Sequence, residues 1–361
     1  MSRAETFFSQ TYAEARAQFL AACEAERLHV HSHVHPLRGR DGEELAMDVA
    51  LLGAERAERL LVISSGCHGV EGYCGSGVQN ALLADNAFKA AARDAGVAVL
   101  FIHALNPYGF SWWRRVTHEN VDLNRNFHDF HEPLPANPAY GDVAHLVVPH
   151  TWPPTAENEA AIAAYIATHG QKAWQQAVSA GQHTHPEGLF FGGHTPTWSH
   201  QTLRHVLQDH AQHCTRLGWI DLHTGLGPSG HGERIYAGPD DAASIARARR
   251  WWGQEVTSVY DGSSTSAKLS GMLFFSVGWD CPQAEYTGMA LEYGTLPLME
   301  VMQNLRAEQW LENHPETPPA QAAQIKKNFR DAFYVDTGVW KQQIVDQARQ
   351  ACHQAVDGLV A

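Results

Sequence analysis

Leu60-Leu61-Val62-Ile63-Ser64-Ser65-Gly66-Cys67-His68-Gly69-Val70-Glu71-Gly72 begins as an apolar run and ends in a glycine-rich turn that carries an imidazole and a carboxylate. An unbroken apolar run of this length suits a strand buried on both faces, as in a sheet covered by helices. The pattern recurs three times. Residues 97–102 run into His103-Ala104-Leu105-Asn106-Pro107, 217–222 into His223-Thr224-Gly225, and 289–291 into Glu292-Tyr293-Gly294-Thr295. Helical spacing of apolar residues predicts helices over 75–94, 156–179, 199–215, 241–260, 298–313, 321–332 and 338–357. Residues 3–27, with Phe7, Phe8, Tyr12, Ala15, Phe19 and Leu20, predict a further packing helix. Strands alternating with helices predict an α/β protein, a three-layer α/β/α sandwich around a mixed twisted sheet. Open sheets of this kind place ligands beyond the carboxyl ends of their strands, where all four runs end in polar residues.

The stretch 128–155 holds Pro133, Pro135, Pro138, Pro149, Pro153 and Pro154 and reads as a long irregular loop. No repeat, low-complexity tract or linker divides the chain. The expectation is one domain over 1–361, with the N-terminal helix at 3–27, a core over about 44–300 and C-terminal helices over about 300–357.

With 26 Lys+Arg against 39 Asp+Glu, the formal charge is −13, which argues against a nucleic-acid or anionic-membrane partner. Every apolar run is far shorter than the roughly 20 residues that span a bilayer, and the charged N-terminus has no apolar segment of the secretory kind. Six cysteines without a C-x-x-C pair read as reduced thiols of a cytoplasmic protein. The sequence leaves the oligomeric state open.

Four groups of residues carry chemistry. His68 and Glu71, three apart in a glycine-rich turn, can face one point, and a neutral imidazole with a carboxylate suits Zn²⁺. Such a pair is common by itself: 23 histidines and 39 acids in 361 residues give about 2.5 by chance. His223, at the end of its apolar run, offers a third ligand, with Asp221 two residues earlier on the same strand face as a supporting partner. Arg114, Arg115 and Arg125 are grouped in Arg114-Arg115-Val116-Thr117-His118-Glu119-Asn120-Val121-Asp122-Leu123-Asn124-Arg125-Asn126-Phe127. Their planar forks suit carboxylates and developing oxyanions, although a solvated loop with local ion pairs fits the same text. Glu292 closes an apolar strand, a costly place for a carboxylate unless it is paired or catalytic.

The ordered set G-C-H-G-V-E-G, N-P-Y-G-F, R-R…V-D-L-N-R-N-F, D-L-H-T-G and L-E-Y-G-T, spanning residues 66–295, resembles the zinc carboxypeptidase (M14-type) superfamily. It is most similar to bacterial M14-like metallopeptidases in the branch near succinylglutamate desuccinylase and aspartoacylase. The resemblance implies a zinc-carboxypeptidase-like fold and one zinc ion held by His68, Glu71 and His223. It further implies Glu292 as the carboxylate that activates water, Arg115, or in its place Arg114, as the arginine that polarises the scissile carbonyl, and Asn124 with Arg125 at the substrate's carboxylate, Arg114 counting with them among the substrate-binding residues. The expected substrate is a peptide or small molecule with a free carboxylate. Deacylation of N-acyl amino acids is the alternative, and a catalytically silent binding protein a third reading. The substrate-capping tyrosine of digestive carboxypeptidases has no counterpart at Lys268-Leu269-Ser270-Gly271; Tyr260 and Tyr286 are the substitutes at hand. Residues 128–215 align with nothing in that superfamily, and Phe190-Phe191-Gly192-Gly193-His194 reads as a turn or a pocket wall.

Overall fold

A computed structural model of the chain describes residues 3–361. Seven strands form one mixed sheet: β1 (Val30–Arg38), β2 (Glu44–Leu52), β3 (Arg59–Ser65), β4 (Val97–His103), β5 (Arg216–Ser229), β6 (Gly232–Tyr236) and β7 (Glu285–Gly294), in the order β1-β2-β4-β3-β5-β7-β6. The central pairs β4/β3, β3/β5 and β5/β7 are parallel; the outer pairs β1/β2, β2/β4 and β6/β7 are antiparallel. The four apolar runs are thus the four strands of the parallel centre. Strands β1, β2 and β6 lie outside it; β2 carries the apolar run Val49–Leu52, whereas β1 and β6 are of mixed composition and carry no comparable signal.

Helices cover both faces, giving the expected α/β/α layering. They are α1 (Tyr12–Ala25), α2 (Gly72–Leu83), α3 (Asn86–Asp94), α4 (Pro107–Trp112), α5 (Pro138–Val147), α6 (Ala156–His169), α7 (Gln171–Ser179), α8 (Trp198–Ala211), α9 (Ala242–Trp252), α10 (Phe275–Asp280), α11 (Leu298–Glu312), α12 (Pro319–Phe333) and α13 (Gly338–Val360). Alternation along β3 splits the core in two. Leu61 and Ile63 pack with Phe19, Tyr73, Trp252 and Ile344 under α1, α2, α9 and α13. Leu60 and Val62 face the other way, with Leu203, Trp219 and Val277 under α8 and α10. A third cluster joins α5, α6, α7, α11 and α12 through Val143, Ile162, Trp174, Val301 and Phe329.

Three expected helices are interrupted. Residues 3–27 form a 3-10 turn at Arg3–Phe7 and then α1, which starts where the Thr11 hydroxyl accepts the Glu14 N–H and Glu14 caps in return. The 75–94 pattern divides into α2 and α3 because the Asp85 carboxylate caps Ala87 and Phe88. The 156–179 pattern breaks at Gly170. The expected irregular loop 128–155 needs correction, since it contains α5. Pro138 stands in that helix's first turn, where a missing N–H costs nothing. Among the described residues no helix is long and apolar enough to cross a membrane.

Candidate metal centre

The turn after β3 brings the first two candidate ligands together. Gly66 has φ +65°, which turns the chain off the strand end. Gly69 lies so close to the Gly109 and Phe110 backbone that a Cβ would come within 2.1 Å of Gly109. Its N–H donates to the Arg115 carbonyl (3.0 Å) and that of Val70 to the Arg114 carbonyl (2.9 Å), so the H-x-x-E turn is clamped to the arginine segment. On β5, parallel register sets Asp221 beside Ser64 and His223 beside Glu292 of β7. His223 therefore sits one step beyond the end of β3, over the turn that holds His68.

The three groups converge. His68 Nδ1 lies 3.0 Å from Glu71 Oε1, His223 Nδ1 lies 3.1 Å from Glu71 Oε2, and the two Nδ1 atoms are 3.3 Å apart. A tetrahedral zinc with bonds of about 2.0–2.1 Å separates its ligand atoms by roughly 3.3 Å, so the donor set fits in type and spacing. The outward nitrogens are anchored on carboxylates: His68 Nε2 on Asp122 Oδ1 (3.2 Å) and His223 Nε2 on Asp221 Oδ2 (2.5 Å). Such partners fix the ring and turn the other nitrogen's lone pair inward. Asp221 is itself held by the Ser64 hydroxyl (2.5 Å), which accepts the Trp219 indole N–H (2.7 Å).

Burial and charge set the ionisation states. Burial works against the Glu71 carboxylate, but His68 and His223 hold it well below the usual range. Burial likewise opposes the Asp122 charge, and Arg115 and Arg125 overcome it. In the metal-free protein burial disfavours the His223 imidazolium, while Asp221 and Glu71 favour it more, so an ion at this site would displace that proton from Nδ1. Glu292 behaves oppositely: burial, reinforced by the Glu71 charge, pushes it up to about 8. Its Oε1 accepts the Leu226 N–H (3.0 Å).

Arg115, Asn124 and Arg125 line the same cavity as His68, Glu71, His223 and Glu292. Arg115 donates through Nε to Asp122 (2.9 Å), and its Nη1 lies 3.4 Å from Glu71 Oε1. Arg125 donates to the carbonyls of Ser179 (3.1 and 2.7 Å) and Asn124 (3.0 Å), with Asp122 only at 3.9 Å. Burial lowers it to about 10, with Asp122 the main compensating charge. A buried guanidinium this poorly compensated suits an anionic ligand. Asn124 Oδ1 accepts the Leu273 N–H (3.0 Å), which ties this pair to the segment that walls the cavity.

The expectation of Arg114 as a substrate contact is not met. It does not line the cavity and is buried against Glu308 (2.9 Å), Glu312 (3.4 Å) and Asn120 (2.7 Å), tying the turn to α11. Tyr260 and Tyr286 both line the cavity. The Tyr260 hydroxyl donates to the Gly238 carbonyl (2.9 Å), so it serves the loop rather than a substrate. One participant escaped the sequence reading: Asp122, one of two carboxylates, with Glu119, among three arginines; Phe190, read as part of a turn or a pocket wall, lines the cavity beside both Arg115 and Arg125.

The profile of a family described as "Protein of unknown function (DUF2817)" matches residues 8–347. No curated protein sequence matches the chain. Among solved structures, bovine thrombin-activatable fibrinolysis inhibitor in complex with tick carboxypeptidase inhibitor superimposes with a TM-score of 0.53 at 11% identity, covering 97% of each chain. Carboxypeptidase A from Helicoverpa armigera is also similar, with a TM-score of 0.43 at 11% identity over 90% of this chain and 74% of that one. The first of these shows that the chain has a metallocarboxypeptidase-like fold.

Proposed function

The chain belongs to the DUF2817 family, whose description assigns no activity, and we propose that it is a zinc-dependent hydrolase that cleaves an amide bond next to a free carboxylate, in the manner of a carboxypeptidase. One observation carries this reading. Two inward Nδ1 atoms and Glu71 converge within 4.8 Å of one another, and Glu292, Arg115, Asn124 and Arg125 line the same cavity.

His68, Glu71 and His223 would hold the ion, which supplies Lewis acidity and brings water's ionisation toward neutral pH. Glu292 takes the proton of the attacking water and delivers it to the leaving nitrogen. Because Oε1 is occupied by the Leu226 N–H, Oε2 carries that proton. Once His68 Nε2–H donates to Asp122, Arg115 Nη2, now 2.7 Å from that nitrogen, has no acceptor there and is free to turn to the substrate carbonyl. Arg125, with Asn124, fixes the substrate's carboxylate and so orients the scissile bond.

Beside that pair the walls are apolar. Leu273, hydrogen-bonded to Asn124, lines the cavity together with its chain neighbours Leu269, Met272 and Phe274. The residue that bears the carboxylate accordingly carries a bulky apolar side chain. The six cysteines are buried and unpaired, in keeping with a reducing compartment such as the cytoplasm.

The test is turnover by zinc-loaded protein of an N-acylated dipeptide ending in phenylalanine, alongside N-acetyl-phenylalanine. Cleavage of the dipeptide is expected. Preference for the N-acyl amino acid would make the protein a deacylase. No turnover of either, with less than about half an equivalent of zinc bound, would leave a silent binding protein.

A further inference from the structure

Phe190 has a φ of +56°, in the left-handed region where a bulky L side chain crowds its own backbone. Such strain persists only where the surroundings over-determine it, and it clusters at functional sites. Three backbone hydrogen bonds impose it here: Gln182 N–H to the Phe190 carbonyl (3.2 Å), Asp122 N–H to the Phe191 carbonyl (2.7 Å) and Gly192 N–H to the Gln182 carbonyl (2.8 Å). The second runs directly from the carboxylate residue that holds His68 and Arg115.

What the strained backbone achieves is the placement of one ring. Phe190 is 5% exposed and walls the cavity, with its centroid 5.2 Å from Arg115 Cζ and 5.4 Å from Arg125 Cζ. Both guanidinium groups lie inside the roughly 6 Å within which the negative face of an aromatic ring attracts a cation. The two arginines are buried like charges that share Asp122 and repel each other. A further carboxylate at this wall would compensate them, but it would also occupy the N–H groups that an anionic ligand needs. An aliphatic side chain would leave the N–H groups free and compensate nothing. The ring's quadrupole does both.

We infer that Phe190 is a positioning residue: its ring steadies the Arg115–Arg125 pair while leaving the guanidinium N–H groups open to the carboxylate and carbonyl of the substrate. The inference rests on the hydrolase reading above. The experiment compares F190L, which keeps apolar bulk, with F190Y, which keeps the ring, in the zinc-loaded full chain. Readouts are KM and kcat for the N-acylated dipeptide ending in phenylalanine, calorimetric Kd for 3-phenylpropionate, and Tm.

F190L is expected to raise KM and Kd about ten-fold, ~1.4 kcal/mol, and to lower kcat as well because Arg115 meets the scissile carbonyl, with Tm close to wild type. F190Y is expected to stay within about two-fold of wild type, since its ring is retained. Equal binding by F190L and wild type, or an equal loss in both variants, overturns the inference and leaves the ring as packing alone. Should F190L fail to fold, F190M takes its place under the same criteria. If wild type cleaves no amide but binds 3-phenylpropionate, the hydrolase reading fails while the Kd comparison still decides the role of Phe190. If it binds no carboxylate either, both fall.

Discussion

Replacing Glu292 with Gln separates what this carboxylate does for turnover from what it costs the fold. In the metal-free protein, burial and the Glu71 charge raise Glu292 from an ordinary 4.5 to about 8. A group whose folded value lies above its unfolded one contributes stability that is fully present below pH 4.5 and is lost as the pH rises toward 8. At pH 7.5, three pH units at about 1.36 kcal/mol each set a ceiling of about 4 kcal/mol on the cost of keeping Glu292 in place. Glu71 and Glu292 titrate together, so the gap expected between E292Q and wild type is about 2–3 kcal/mol. For 361 residues, at about 2.1 cal/mol/K per residue, this raises Tm by about 3–4 °C. Gln still accepts the Leu226 N–H, so no buried donor is orphaned. The assay is thermal and urea unfolding of chelated wild type and E292Q between pH 4.5 and 8.5. The curves should coincide at the acid end and separate with rising pH. Zinc should narrow the separation, because a dication favours the ionised carboxylate. In the zinc-loaded enzyme kcat should fall about 10²–10⁴-fold, the usual worth of a positioned general base. Parallel pH–stability curves would refute the burial argument, and undiminished turnover would refute the catalytic one.

Arg125→Met should raise KM about 100-fold with little change in kcat, since charge-assisted hydrogen bonds of about 1.5–3 kcal/mol hold the carboxylate before and during reaction; steady-state kinetics with the dipeptide check this. Asp221→Asn removes the carboxylate under His223 and should weaken zinc binding about 10–100-fold in a competition titration with a chromophoric chelator. His103 is fully buried, stacked on Phe19 and bonded through Nε2 to the Ser76 hydroxyl, and burial lowers it to about 4. The unfolded chain takes up that proton first, so about 3 kcal/mol of stability should be lost as the pH falls from 6.5 to 4, and His103→Phe should flatten that part of the curve in urea unfolding. Dipeptides ending in phenylalanine should exceed those ending in lysine or glutamate in kcat/KM by about 100-fold or more if the side chain rests on the apolar wall of Leu269, Met272, Leu273 and Phe274, where a charge is costly.

The layered architecture was legible because the four central strands are buried on both faces and so read as unbroken apolar runs. Strands β1 and β6 gave no such signal: β1 places His31 and His33 among other polar residues, and β6 carries Glu233 and Arg234, which are buried on hydrogen-bond partners rather than among apolar side chains. Helix α5 was masked by the prolines around it and by Pro138 at its own start, a residue that marks a helix start as readily as a loop. The residue types of the candidate site were also legible: two histidines and two glutamates, each just past an apolar run, plus arginines grouped in an acidic chain.

Direction was not legible. Arg114 and Arg115 are neighbours of one type, yet one is spent on Glu308 and the other meets His68, a choice made by the hydrogen bonds that clamp the H-x-x-E turn to their carbonyls. Asp122 and Phe190 likewise acquire meaning only from groups far away in the chain. The sequence by itself determined which chemistries are present and which strand ends carry them, because burial and periodicity are local properties. Only the tertiary structure decided which atoms meet, because the parallel register of β3, β5 and β7 is what brings His68, His223 and Glu292 to one point across more than 200 residues of chain.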